Sequence, residues 1–144
     1  MSGWACYQGG ETLDLDLGEL EQLELRSDDL QLIGWLARTP AEHAKGLAVV
    51  EADRLRRQDD GRLPAMLYEL AASDAVMPPF RLRLQPMDIA VLSRDGTVLA
   101  LATLPAAPGL APGAAYVLEA IGGSLAAGGV TVGTRFRGLE AASR

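Results

Sequence analysis

Two apolar runs flank Arg94-Asp95-Gly96: Met87 to Leu92 on one side and Val98 to Leu101 on the other. Asp-Gly between two β-rich runs is a strong short-range hairpin signal, because glycine accepts a positive φ without steric cost. No polar residue interrupts Ile89 to Leu92. A short unbroken run of this kind fits a central strand buried on both faces. Residues 86–101 are therefore read as an interior β-ribbon with the rest of the chain packed around it. Asp88 is the anomaly. An unpartnered carboxylate within an apolar strand is costly to desolvate, so Asp88 must find a donor or lie at the mouth of the strand.

The remaining segments fall into short strands. Leu13, Leu15 and Leu17 alternate with Asp14 and Asp16, and Leu23 and Leu25 continue the period of two. Asp28-Asp29 marks a turn, and Leu30 to Leu36 reads as the next strand. Residues 1–29 thus read as an N-terminal extension, a hairpin packed on a core domain of residues 30–136, with 137–144 as a tail. The acidic strand face is read as solvated, since no calcium-loop spacing accompanies it. Thr39-Pro40-Ala41-Glu42 has the pattern of a capping box with proline at the first helical position, and Gly46 can stop the turn. A short helix near 40–46 is expected. Arg54, Arg56 and Arg57 lead into an Asp59-Asp60-Gly61 turn, read as a solvated loop.

Leu63 to Leu70 is a strand with Met66 and Tyr68 on one face and Leu67 on the other. Pro78-Pro79 forces an extended entry to Phe80, Leu82 and Leu84, which alternate with Arg81, Arg83 and Gln85. Leu104 to Gly113 is a loop stiffened by prolines. Ala115 to Ala120 is a strand. Ser124 is placed to cap a one-turn helix near 124–128 that Gly128-Gly129 ends, and Val130 to Phe136 is read as closing the sheet. Short strands in succession with two brief helices predict a compact antiparallel β sandwich or barrel.

Composition removes several function classes. The chain has 144 residues, enough for one domain with a real core, and a formal net charge of −6. An acidic balance disfavours sequence-independent nucleic-acid binding and attraction to anionic membranes. Cys6 is the only cysteine and His43 the only histidine. No internal disulfide, cysteine metal cluster or histidine-based metal spacing follows, and no metal or other cofactor is implied. His43 rides on the short helix and reads as a packing residue. No leader-like apolar segment follows a basic start, which makes a cytoplasmic location the expectation.

Three functional readings remain. Arg81 and Arg83 put two guanidiniums on one strand face, with Asp88 close behind, and could clamp the carboxylate or phosphate of a small molecule or protein partner. The same arginines also suit the solvent face of an edge strand, where charge deters pairing. This reading makes the chain a non-catalytic binding module. A second reading is a hydrolase or carbohydrate-active enzyme, in which Asp88 pairs with Glu119 or Asp95 as acid and base. The third is a homodimer formed through the N-terminal hairpin or another exposed strand edge.

An ordered set of motifs resembles the DUF192 family, a prokaryotic domain family of unknown function. Thr39-Pro40-Ala41-Glu42 with Lys45-Gly46-Leu47 resembles its opening. Met66-Leu67-Tyr68 resembles its methionine-leucine-phenylalanine strand, Pro86-Met87-Asp88-Ile89 with Asp95-Gly96 its central strand and turn, and Tyr116-Val117-Leu118-Glu119 its valine-leucine-glutamate strand. Gly128 to Thr134 is similar to its closing segment. Where the family carries tryptophan-methionine-lysine-asparagine-threonine, this chain reads Pro79-Phe80-Arg81-Leu82-Arg83. The resemblance spans about residues 30–136 and implies a compact β sandwich or barrel with short helices; it implies no activity.

Overall fold

A computed structural model describes residues 20–43, 55, 58–70, 86–103, 109 and 111–142. Strands β1 (Glu21–Arg26) and β2 (Gln31–Ala37) precede helix α1 (Pro40–His43) and strand β3 (Arg62–Glu69). Strands β4 (Met87–Ser93), β5 (Val98–Thr103) and β6 (Ala114–Ile121) follow, then helix α2 (Ser124–Ala127) and a 3-10 turn at Leu139–Ala141. The six strands form one sheet in the order β1-β2-β3-β6-β4-β5. The fold is mainly β, as the strand pattern predicts, with both short helices in place. The sheet is mixed rather than wholly antiparallel, because β2 and β3 run parallel. A parallel pair needs a long crossover, and residues 38–61 supply one.

The ribbon of residues 86–101 forms, but only its first strand is interior: β5, expected inside as well, is the last strand in the sheet order and lies at its edge. β4 lies between β5 and β6, and Met87 to Leu92 are all buried. The turn closes as a type I turn with a glycine bulge: Gly96 N–H donates to Ser93 O at 3.0 Å, and Ser93 N–H donates to Thr97 O at 2.9 Å. Gly96 adopts φ +92°, the left-handed conformation that this turn demands.

Alternation along the strands divides the core. Leu23, Leu25, Leu32, Leu67, Leu92 and Leu118 pack on one side of the sheet with Phe136, while Ile33, Trp35, Met66, Tyr68, Ile89 and Val117 pack on the other. The side holding Phe136 is the inside of a curl. Phe136 N–H donates to Gly96 O at 2.9 Å, and the next residue, Arg137, donates from its N–H to Arg26 O at 2.8 Å. Gly96 sits at the β4–β5 tip and Arg26 at the end of β1, so consecutive residues bind opposite ends of the strand order. In a flat six-stranded sheet those edges would lie about 24 Å apart, five spacings of about 4.8 Å. The sheet must therefore roll until both edges flank one extended segment. Two isolated bridges, Thr97–Arg135 and Arg26–Arg137, make this closure. The segment 130–136 closes the sheet in this limited sense: as a staple of single bridges, not as a continuous strand or a complete barrel.

The staple requires glycine at two positions. A Cβ on Gly96 would lie 2.1 Å from Phe136 O, and one on Gly138 would lie 2.1 Å from Glu24 O. At the N-terminal side, β1 and β2 form a hairpin across Ser27 to Leu30, which joins the end of the expected 1–29 extension to the first strand of the expected core. The alternating segment Leu13 to Leu17 lies outside the described residues.

Candidate functional site

Asp88 lies on β4 and is 5% exposed. Both carboxylate oxygens are engaged. Thr103 Oγ1 donates to Oδ1 at 2.7 Å, and Leu125 N–H donates to Oδ2 at 3.1 Å. Asp88 thus caps the first turn of α2 from a neighbouring strand and meets the demand for a donor read from the sequence. The expected cap, Ser124, does not serve: its hydroxyl donates to Ile121 O, and Gly123 occupies the N-cap position. β4 delivers a carboxylate to the amide, and the serine sits inside the turn it was expected to cap. The far end of α2 follows the glycine expectation. Val130 N–H bonds Leu125 O at 2.9 Å, Gly129 N–H bonds Ala126 O at 3.0 Å, and Gly129 takes φ +78°, a Schellman ending.

The two carboxylates proposed as an acid–base pair do not converge. Asp88 pairs with Ala120, and Ile89 pairs with Glu119. Paired residues share a face, and successive residues alternate. Asp88 therefore points to the Phe136 side and Glu119 to the Trp35 side. Asp95 is remote from both, in the hairpin turn. It accepts hydrogen bonds from Ser93 Oγ and from Thr97 N–H. These bonds, that of Ser93 foremost, hold its carboxyl below the usual aspartate range, and Arg135 adds to the effect.

Glu119 is fully buried and accepts a hydrogen bond from Tyr68 Oη at 2.7 Å. The ring of Tyr68 meets His43 edge-on, with centroids 5.6 Å apart. His43 Nε2 donates to Ala37 O at 3.1 Å, which fixes the tautomer because a carbonyl only accepts. α1 carries the full capping box: Glu42 N–H donates to Thr39 Oγ1 at 3.1 Å, and Thr39 N–H donates to Glu42 Oε1 at 3.2 Å. Capping, His43 and Tyr68 together seat α1 on the sheet, so the lone histidine is a packing residue. Among the described residues, no group of three or more His, Cys, Asp or Glu side chains converges as a metal site.

The open polar site lies where the staple meets β1. Arg26 and Arg137 exchange backbone hydrogen bonds of 3.0 and 2.8 Å, so they stand directly opposite each other. Opposed residues of such a pair project on one face, so both arginine side chains leave the same face. They line a cleft of about 500 Å³ with Asp28, Asp29 and Gly61. Arg137 approaches Asp28 at 3.8 Å, where the Asp28 side chain is 93% exposed. Arg26 forms no ion pair among the described residues. Next to Gly61 in the chain, the buried guanidinium of Arg62 binds Asp60 at 2.8 Å and Glu24 at 3.3 Å. Burial lowers the Arg62 pKa from its usual value. Asp60 also accepts from Arg62 N–H at 3.0 Å, which fixes the turn before Gly61.

Sequence reading missed this cleft. Arg26 and Arg137 are far apart in the chain, and neither stands in a motif. Arg81 and Arg83, the expected clamp, lie outside the described residues. Of that predicted trio, only Asp88 is placed, and its oxygens face α2 and Thr103.

The architecture is a rolled, mixed six-stranded sheet stapled by its C-terminal segment. Two solved structures have a similar fold. One is a candidate transcription regulator from Sinorhizobium meliloti, at TM-score 0.59 and 23% identity, covering 83% of this chain and 95% of that one. The other is a protein of unknown function from Novosphingobium aromaticivorans, at TM-score 0.56 and 25% identity, covering 82% of this chain and 84% of that one. No family model and no curated protein matches the chain. Among the described residues, no helix is long and apolar enough to cross a membrane.

Proposed function

We propose that this chain is a non-catalytic binding module whose cleft at Arg26 and Arg137 takes an anionic group, a carboxylate or a phosphate. The observation that carries the reading is the opposed arginine pair. Like charges directly opposite in a sheet destabilise it. Here they flank an open cleft, and Arg26 has no carboxylate partner among the described residues. Planar guanidiniums present forked donors that match a bound oxyanion. The acid–base reading has less support, because Asp88 and Glu119 face opposite sides of the sheet.

Membership of DUF192 remains part of this proposal. Its support is the placement of the resembling motifs: Met87-Asp88-Ile89 and Val117-Leu118-Glu119 lie on the neighbouring strands β4 and β6, where Ile89 pairs with Glu119.

The test is titration with inorganic phosphate and, separately, with acetate and citrate, followed by amide chemical shifts. Saturable shifts at Ser27, Gly61 and Arg137 are the expected result, and Arg26→Ala is expected to remove them. The two arms distinguish phosphate from carboxylate. Anion shifts lost in Arg81→Ala/Arg83→Ala but kept in Arg26→Ala would move the site to the strand pattern at residues 80–85. No shift with any of these anions would overturn the reading.

A further inference from the structure

Among the described residues, β5 is the last strand of the sheet and its outer side has no partner strand. Its inner side pairs with β4. On the outer side, among the described residues, Val98 alone is engaged: its N–H donates to Thr134 O at 2.7 Å, and its carbonyl accepts from Gly133 N–H at 2.8 Å. From Leu99 to Thr103 no outer backbone hydrogen bond is formed with any described residue.

An open edge is a template for another strand, and proteins usually guard it with charge, proline or a covering segment. The opposite edge follows that rule. β1 carries Glu21, Glu24 and Arg26, and the staple binds its end. β5 reads Val98-Leu99-Ala100-Leu101-Ala102-Thr103, with neither charge nor proline. Leu99 to Ala102 are half-buried, so their side chains are partly open to contact. Val132, 63% exposed, stands next to Gly133 at the engaged end of the strand and extends the apolar surface.

We infer that the β5 edge pairs antiparallel with the β5 edge of a second copy of this chain. Two features select a second copy. The chain carries a net charge of −6, so two copies repel over most of their surfaces. β5 is a window without charge, and self-pairing there sets no like charges opposite each other. The strand is also self-complementary. Antiparallel pairing centred on Leu101 sets Ala100 opposite Ala102, and Leu99 opposite Thr103. A twofold axis then gives each copy the same contacts, as an isologous interface requires. The sheet would run on from one protomer into the next.

Sedimentation velocity over a wide concentration range, joined to amide hydrogen exchange, tests this. The expected result is a reversible dimer in which the outward-facing, alternate amides of residues 99–103 slow as the dimer forms. Ala102→Lys, which places lysines near each other across the axis, is expected to leave the protein monomeric where the wild type is dimeric, with its melting temperature kept. Should that variant fail to fold, the exchange measurement on the wild type decides alone. A monomer at every concentration would overturn the inference. So would a dimer whose 99–103 amides exchange as fast as in the monomer. A monomer that protects β5 only when an extended peptide is added would assign the edge to a different occupant and equally overturn it.

Discussion

Asp88 and Glu119 occupy adjoining rungs of the β4–β6 ladder and face opposite sides of the sheet. The same one-residue offset decides the environment of each. Asp88 meets an amide and a hydroxyl beside α2, and Glu119 meets a phenol on the far side. Two acids near in sequence pattern thus serve two separate pieces of construction.

Replacing Asp88 removes a cap at a distance. Asp88→Ala leaves the Leu125 amide and the Thr103 hydroxyl without their acceptor. The expected loss is about 2–3 kcal/mol, since an orphaned buried donor costs about 1–3 kcal/mol. Urea unfolding checks it. A loss below about 0.5 kcal/mol, the range of ordinary surface changes, would show that the contacts do not hold α2.

Tyr68→Phe deletes the hydroxyl that donates to buried Glu119. A loss of about 1–3 kcal/mol is expected from a hydrogen bond to a group of this type. A double-mutant cycle with Glu119→Leu, which removes the acceptor, should show strong coupling, because the two residues share one contact. Additive effects would mean that the pair does not interact in solution.

The staple predicts a contrast between two glycines of nearly equal φ. Gly61 and Gly96 have φ of +89° and +92°. A methyl group on Gly61 meets nothing within 4 Å, whereas on Gly96 it meets Phe136 O at 2.1 Å. Gly61→Ala should cost about 1–2 kcal/mol, the strain of a left-handed alanine. Gly96→Ala should cost clearly more, because the staple must also move. Thermal melting of both variants compares them, and equal losses would show that the staple exerts no close contact.

Asp95 gives the stability a pH dependence. Its folded pKa lies below the ordinary value, chiefly through the Ser93 hydroxyl, so the folded state favours the ionised form. The contribution is present above the unfolded pKa, about 3.9, and is lost as pH falls through the lower folded value. Asp95→Asn should flatten the stability profile below about pH 4, with little effect on its slope near neutrality. An unchanged acid limb in the variant would remove Asp95 from the account.

Much of the strand layout was legible because it is local. The Asp95-Gly96 turn follows from positive φ, and burial of Ile89 to Leu92 follows from an unbroken apolar run. The capping box at Thr39 and Glu42 is a relation between residues three apart. Met66 and Tyr68 part from Leu67 because a strand alternates. Asp88 in an apolar run calls for a donor, but no local pattern points to it: Leu125 lies 37 positions further on.

What the chain by itself determined was the set of short strands, their turns and the residues able to cap or bend the backbone. These depend on φ, periodicity and contacts within a few residues. The tertiary structure alone decided the parallel β2–β3 pair, the roll of the sheet, the opposed Arg26 and Arg137, and the place of β5 at the end of the described strand order. Each of these depends on which distant segments become neighbours, and no local preference encodes that choice. Phe136 shows the difference: as a residue it asks only for burial, and the fold places it between the two edges of the sheet that it draws together.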